Sequence, residues 1–245
     1  MLLSDVRDRL TSKQFKWVVF DAVGTLIQPE PSVARAYQMI GAQHGSSLTV
    51  AEASERFRRA FRRSETEFFP NRPQSDSVWL SSDAIELARW RWIVEEVLPD
   101  VDNLDQCFGE LWNHFAHPAS WSCFDEVGTI LNALTDAGFR LAIATNFDSR
   151  LHSVCAGHPT LNSIERRFVS SEIGYRKPAP QFYASLIQEC GVAPNQILMI
   201  GDNFAHDVAG PLASDMAAIL LDRGLTRELP DAIRSLLQLV PAGHD

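Results

Sequence analysis

Apolar and polar residues along this chain are grouped in two distinct rhythms. Five short, mostly apolar runs, at 17–20, 140–144, 168–170, 197–200 and 217–221, are bounded by turn residues and predict buried strands. Helical periodicity fills the spaces between them, as at 127–137 and 181–190. Gly138 and Gly191 stand where helix C-caps are expected. Strand–helix–strand alternation implies a mostly parallel sheet covered on both faces, an α/β fold.

The segment 29–120 breaks this rhythm and carries no strand pattern. Its periodicity predicts helices at 33–44, 50–69, 82–98 and 104–117, interrupted at Pro70, Pro73 and Pro99. Because it follows directly on the first strand, it reads as a helical domain inserted into an α/β core made of 1–28 and 121–245. A chain of 245 residues is long enough for two such units.

Charge and cysteine usage narrow the function classes. With 22 basic and 31 acidic residues the net charge is −9, which argues against a broad basic surface for nucleic acid. The four cysteines, Cys107, Cys123, Cys155 and Cys190, form no CxxC pair, so a reduced, cytoplasmic protein is expected rather than a zinc or redox site. Residues 1–16 are charged throughout and lack the apolar stretch of a signal peptide. No window approaches the ~18 uninterrupted apolar residues of a membrane span.

Chemistry gathers at the predicted strand ends, where parallel sheets bind ligands. Asp21 follows the first run, Thr145 and Asn146 the second, Lys177 the third, and Asp202, Asn203 and Asp207 the fourth. A carboxylate in this set can attack phosphorus and form an aspartyl phosphate. Carboxylate and phosphate repel, so a divalent cation is needed between them. Mg2+, which prefers hard oxygen ligands and keeps several waters, fits. A lysine and a threonine hydroxyl would hold the phosphate oxygens.

Four segments carry a family resemblance. Phe20-Asp21-Ala22-Val23-Gly24-Thr25-Leu26, Ala144-Thr145-Asn146, Arg176-Lys177-Pro178-Ala179-Pro180 and Ile200-Gly201-Asp202-Asn203 with Asp207 resemble, in order, the four motifs of the haloacid dehalogenase (HAD) superfamily. Thr145-Asn146-Phe147-Asp148-Ser149-Arg150-Leu151 and Gly210-Pro211 look closest to its branch named for rhythmically expressed gene products. The resemblance implies a Rossmann-like core with a helical type I cap, and a Mg2+-dependent hydrolase of a small, phosphorylated anionic substrate. It implies Asp21 as nucleophile and metal ligand, Asp202 and Asp207 as further metal carboxylates, and the Val23 carbonyl as another ligand. Lys177, Thr145 and Asn146 would hold the phosphate, with Lys177 also steadying the nucleophile.

Val23 departs from the pattern. Phosphatases of this superfamily carry there a second aspartate that protonates the leaving group, a contribution of about 10²–10⁴-fold. Three readings stay open: a phosphohydrolase using a good leaving group or an acid from elsewhere, a 2-haloacid dehalogenase, and a silent ligand- or partner-binding member. Phosphonoacetaldehyde hydrolysis is set aside, because it needs a cap lysine and the only lysines are Lys13, Lys16 and Lys177. His206 is expected at the surface or just behind the residues of the site, Asp148 and Arg150 to pair or to face the site, and Trp79, Trp90 and Trp92 to pack the cap. Arg56, Arg58, Arg59, Arg62 and Arg63 are expected on a solvated helix face, with one arginine reaching the substrate as the rival reading.

Overall fold

The computed structural model describes residues 3–65, 67–68, 79–224 and 232–240. Its centre is a five-stranded parallel sheet in the order β5-β4-β1-β6-β7. These are β1 (Trp17–Phe20), β4 (Arg140–Thr145), β5 (Arg166–Val169), β6 (Ile197–Gly201) and β7 (Ala217–Leu220). β1 lies in the middle, with Val18 beside Leu141 and Leu198. Side chains alternate across the sheet, so Val18 and Phe20 join one apolar layer while Trp17 and Val19 join the other. Both layers are covered, which is why β1 has no polar residue.

The helices around the sheet are α1 (Leu3–Thr11), α6 (Val127–Asp136), α7 (Arg150–Ala156), α8 (Ser170–Ile173), α9 (Pro180–Cys190) and α10 (Gly210–Ala213). α1 has no strong sequence signature, because it anchors through only Val6 and Leu10, one turn apart. The expected strand at 168–170 is shifted: β5 begins at Arg166, and Ser170 already opens α8.

Among the described residues, four α-helices lie between β2 (Ile27–Pro29) and β3 (Trp121–Cys123): α2 (Val33–Gln43), α3 (Val50–Ser64), α4 (Asp83–Val97) and α5 (Leu104–Ala116). Ser32, Thr49, Ser82 and Asn103 cap their N-termini, with Thr49 and Glu52 forming a reciprocal box. The helices share their own apolar cluster, centred on Tyr37, Ala53, Ile93, Val97, Cys107 and Leu111. α3 is shorter than the expected 50–69. It stops at Ser64, whose hydroxyl bonds back to the Phe61 carbonyl at 2.7 Å; Phe69, Pro70 and Pro73 lie outside the described residues.

β2 and β3 pair antiparallel, Ile27 against Cys123 and Pro29 against Trp121, and so tie both ends of the helical segment together. Three-residue strands are too short to show a period, so the sequence pattern missed them. Among the described residues, no helix is long and apolar enough to cross a membrane.

Candidate active site

The carboxyl ends of β1, β4 and β6 open into a cavity of about 390 Å3 between the sheet and the four helices. Asp21, Val23, Thr145, Asn146, Lys177, Asp202 and Asp207 all line it. Each expected site residue therefore reaches one space, although they come from segments more than 180 residues apart.

Asp21 is held by the end of β1, its amide donating to the Ile200 carbonyl at 2.8 Å. Lys177 Nζ, almost fully buried, donates to Asp21 Oδ1 at 2.9 Å, Asp207 Oδ1 at 2.6 Å and the Ala144 carbonyl at 2.7 Å. All three hydrogens of the ammonium are thus engaged. Burial alone would lower the Lys177 pKa, but the Asp207 and Asp21 charges outweigh it and hold it above the ordinary value. Burial raises the Asp21 pKa despite the opposing lysine.

Asp202 is solvent-accessible at the cavity floor, yet enclosure and then the Asp21 and Asp207 charges push its carboxyl up to about 7. Asp207 sits on a π-helical turn, Phe204–Ala209, and its second oxygen accepts from the Asn203 amide at 3.0 Å. One oxygen each of Asp21, Asp202 and Asp207 lies within 4.8 Å of the others. Three carboxylates against one ammonium leave an excess of negative charge on hard oxygen donors, a set that fits Mg2+. Two glycines allow this crowding. A Cβ on Gly24, which has φ +86°, would lie 2.4 Å from Asp202, and one on Gly201 would lie 2.3 Å from Asp207.

Thr145 ends β4 and is buried at the cavity edge. Asn146 clamps the Lys177 main chain, its Nδ2 donating to the carbonyl at 2.8 Å and its Oδ1 accepting from the amide at 2.7 Å. This bracing uses one of the two Nδ2 hydrogens and one side of Oδ1 of the amide that was expected on phosphate. Val23 presents an apolar side chain to the cavity and packs partly against the core.

Other residues also reach the cavity. His206, half-buried, lines it, and burial followed by the Lys177 charge pushes its imidazole down to about 4. Arg89, Glu65 and Arg176 line one wall: Glu65 accepts from Arg176 at 2.7 Å and from Arg89 at 3.2 Å. Arg89 was legible in principle, since it shares the buried stripe of α4 with Ile93 and Val97 at helical spacing. Asp148 and Arg150 pair through two 2.7 Å bonds, and Arg150 also lies 3.4 Å over the Trp112 ring. Trp90 lines the cavity while Trp79 and Trp92 do not. None of the five α3 arginines lines it. Arg56 and Arg58 bond to backbone carbonyls, and Arg63 pairs with Glu67 and Glu96.

Comparison with known proteins agrees with this layout. The haloacid dehalogenase-like hydrolase family profile matches residues 15–215. The chain is 25% identical over 245 residues to the human haloacid dehalogenase-like hydrolase domain-containing protein 3, covering 94% of each. It is 26% identical to a phosphoserine phosphatase of Thermus thermophilus, over 89% of this chain and 92% of that one. In fold it resembles a HAD phosphatase from Thermococcus onnurineus, with a TM-score of 0.63 at 23% identity, covering 92% of this chain and 96% of the other.

Proposed function

The chain belongs to the haloacid dehalogenase-like hydrolase family, and on that premise we propose that it is a Mg2+-dependent phosphohydrolase acting on a small phosphorylated compound through an aspartyl phosphate at Asp21. The observation that carries this reading is the convergence of Asp21, Asp202 and Asp207 around Lys177. In it, residues 29–120 form the cap over a core of 1–28 and 121–245. A reduced, cytoplasmic setting belongs to the same reading and is supported by four unpaired cysteines.

Asp21, Asp202, Asp207 and the Val23 carbonyl would hold the ion. When bound, it offsets the repulsion between carboxylate and phosphate as charge develops on the phosphoryl oxygens. Lys177 holds one oxygen of Asp21 and so fixes the plane from which the carboxylate attacks. The Thr145 hydroxyl donates to a phosphate oxygen. A bond forms from Asp21 to phosphorus as the bond to the leaving oxygen breaks, and its electron pair leaves with that oxygen. Val23 has no proton to give, so the departing group takes its proton from water. Water then cleaves the aspartyl phosphate, releasing phosphate and restoring Asp21.

A dehalogenase would have less use for the Asp202–Asp207 pair, since displacing halide from carbon needs no cation there. Phosphate and halide release are measured with purified protein, with and without MgCl2, beside Asp21→Asn. Mg2+-dependent phosphate release that vanishes in the variant is expected. Metal-independent halide release would replace this reading with a dehalogenase, and Mg2+ binding without turnover on a broad panel would favour the silent one.

A further inference from the structure

Resting on that phosphohydrolase reading, we infer that the substrate is a phosphomonoester whose leaving group is an uncharged aromatic body, and that the cavity excludes substrates with a second anionic group. Two independent features of the cavity carry this.

The first is a continuous run of rings. Phe61 and Phe57 stack at 5.7 Å, Phe57 meets Tyr37 at 5.3 Å, and Tyr37 meets Phe115 at 6.3 Å. Phe115 then meets Trp121 at 6.0 Å, and Trp121 meets Phe147 at 5.6 Å. All six line the cavity. The run starts on a cap helix and ends at Phe147, the residue after Thr145 and Asn146. A phosphate held at Thr145 therefore places its ester group directly against ring faces and edges. Such surfaces favour a flat apolar group by offset or edge-on contact. The cavity volume falls in the range of small-molecule sites.

The second feature is charge. The cations lining the cavity are Arg89, Arg150, Arg176 and Lys177. Among the described residues each already has a carboxylate. Arg89 has Glu86 and Glu65, Arg176 has Glu65, Arg150 has Asp148, and Lys177 has Asp21 and Asp207. A substrate carboxylate would meet here no cation whose charge is not already offset by a carboxylate, so burying it would gain little to repay its lost hydration. A neutral leaving group has no such hydration to lose. The cavity thus reads as one anion site with an apolar extension.

The test compares esters of similar alkoxide leaving groups, so that intrinsic reactivity does not decide the outcome. Phosphate release is measured with MgCl2 for 2-phenylethyl phosphate, ethyl phosphate, phosphoserine and phosphoglycolate. The expected kcat/KM for 2-phenylethyl phosphate exceeds those of the two carboxylated esters by at least about tenfold. Phe147→Leu, which keeps an apolar side chain, should cut the 2-phenylethyl to ethyl ratio about fivefold. Equal or faster turnover of phosphoserine or phosphoglycolate overturns the inference. If no ester is hydrolysed, the phosphohydrolase reading is judged by its own broader panel, and calorimetric titration of Asp21→Asn with the same compounds decides this inference. Binding of 2-phenylethyl phosphate at least tenfold tighter than phosphoserine then sustains the selectivity; comparable, weaker or undetectable binding removes it.

Discussion

Lys177 sits where the largest local energies meet. It is almost fully buried, and its ammonium bridges Asp21 and Asp207. Taking away one member of a buried ionic group leaves the others uncompensated, at a cost of about 3–5 kcal/mol. Lys177→Met should therefore lose about 3 kcal/mol in urea unfolding without metal, along with all turnover. Added MgCl2 should restore part of that stability by taking over the charge. A loss unchanged by MgCl2 would mean that the carboxylates are not a cation site. Crowding makes a second prediction at this scale. Gly24→Ala must strain a φ of +86° and press a methyl onto Asp202. Calorimetry should show at least about tenfold weaker Mg2+ binding in that variant, against an Asp202 that has been pushed aside.

Between elements, one polar junction supports the loop that follows Asp21. Arg223, just past β7, donates to the Gly24 carbonyl at 3.3 Å and the Thr25 carbonyl at 2.9 Å, and pairs with Glu126 at 2.6 Å. Glu126 also accepts from Ser235 and from the Leu236 amide, which pins the last described turn to the start of α6. Burial would raise the Glu126 carboxyl, but the bonds from Ser235, Leu236 and Arg223 outweigh it and hold it below its ordinary 4.5. A depressed folded-state pKa adds stability that is fully present above 4.5 and lost as pH falls through the folded value. Glu126→Gln should thus cost about 1–2 kcal/mol at pH 7. The gap between variant and parent should close as urea titrations move to more acid pH. A gap that is constant with pH would show that the charge does not stabilise this junction.

Across the whole molecule, the helical segment and the sheet with its helices are joined by several polar contacts, among them Arg176 to the Trp79 carbonyl, Ser81 to the Gly174 carbonyl and Arg150 to the Trp112 carbonyl. Glu65, at the end of α3, reaches Arg176 on the core, while Asp83, at the start of α4, accepts from the Ser149 amide at 3.1 Å and hydroxyl at 2.6 Å. Glu65 also separates two arginines that are almost fully buried. Glu65→Ala would leave Arg176 without its carboxylate and bring the two positive charges face to face. The Tm should fall by several degrees, and hydrogen exchange should rise in α3 and α4 before the sheet. Equal exchange in cap and sheet would argue that the bridge does not hold the cap shut.

The sheet, its parallel sense and the strand-end residues were legible because each depends on local pattern. A buried strand must be apolar along its length, and a parallel sheet collects its functional groups at one end. The helical insertion was legible for the same reason, as a change of period. Asp21, Thr145, Lys177, Asp202 and Asp207 could be picked out this way before any coordinates. The pairing of β2 with β3, the path of Arg223 and the Glu65 bridge between Arg89 and Arg176 could not. They join residues far apart in the chain, and neither member of such a pair carries a local mark. His206 and the aromatic run were also decided by tertiary structure alone. A ring on an amphipathic helix faces inward whether it fills a core or lines a cavity, and only the packing of α2, α3 and α5 over the sheet settles which.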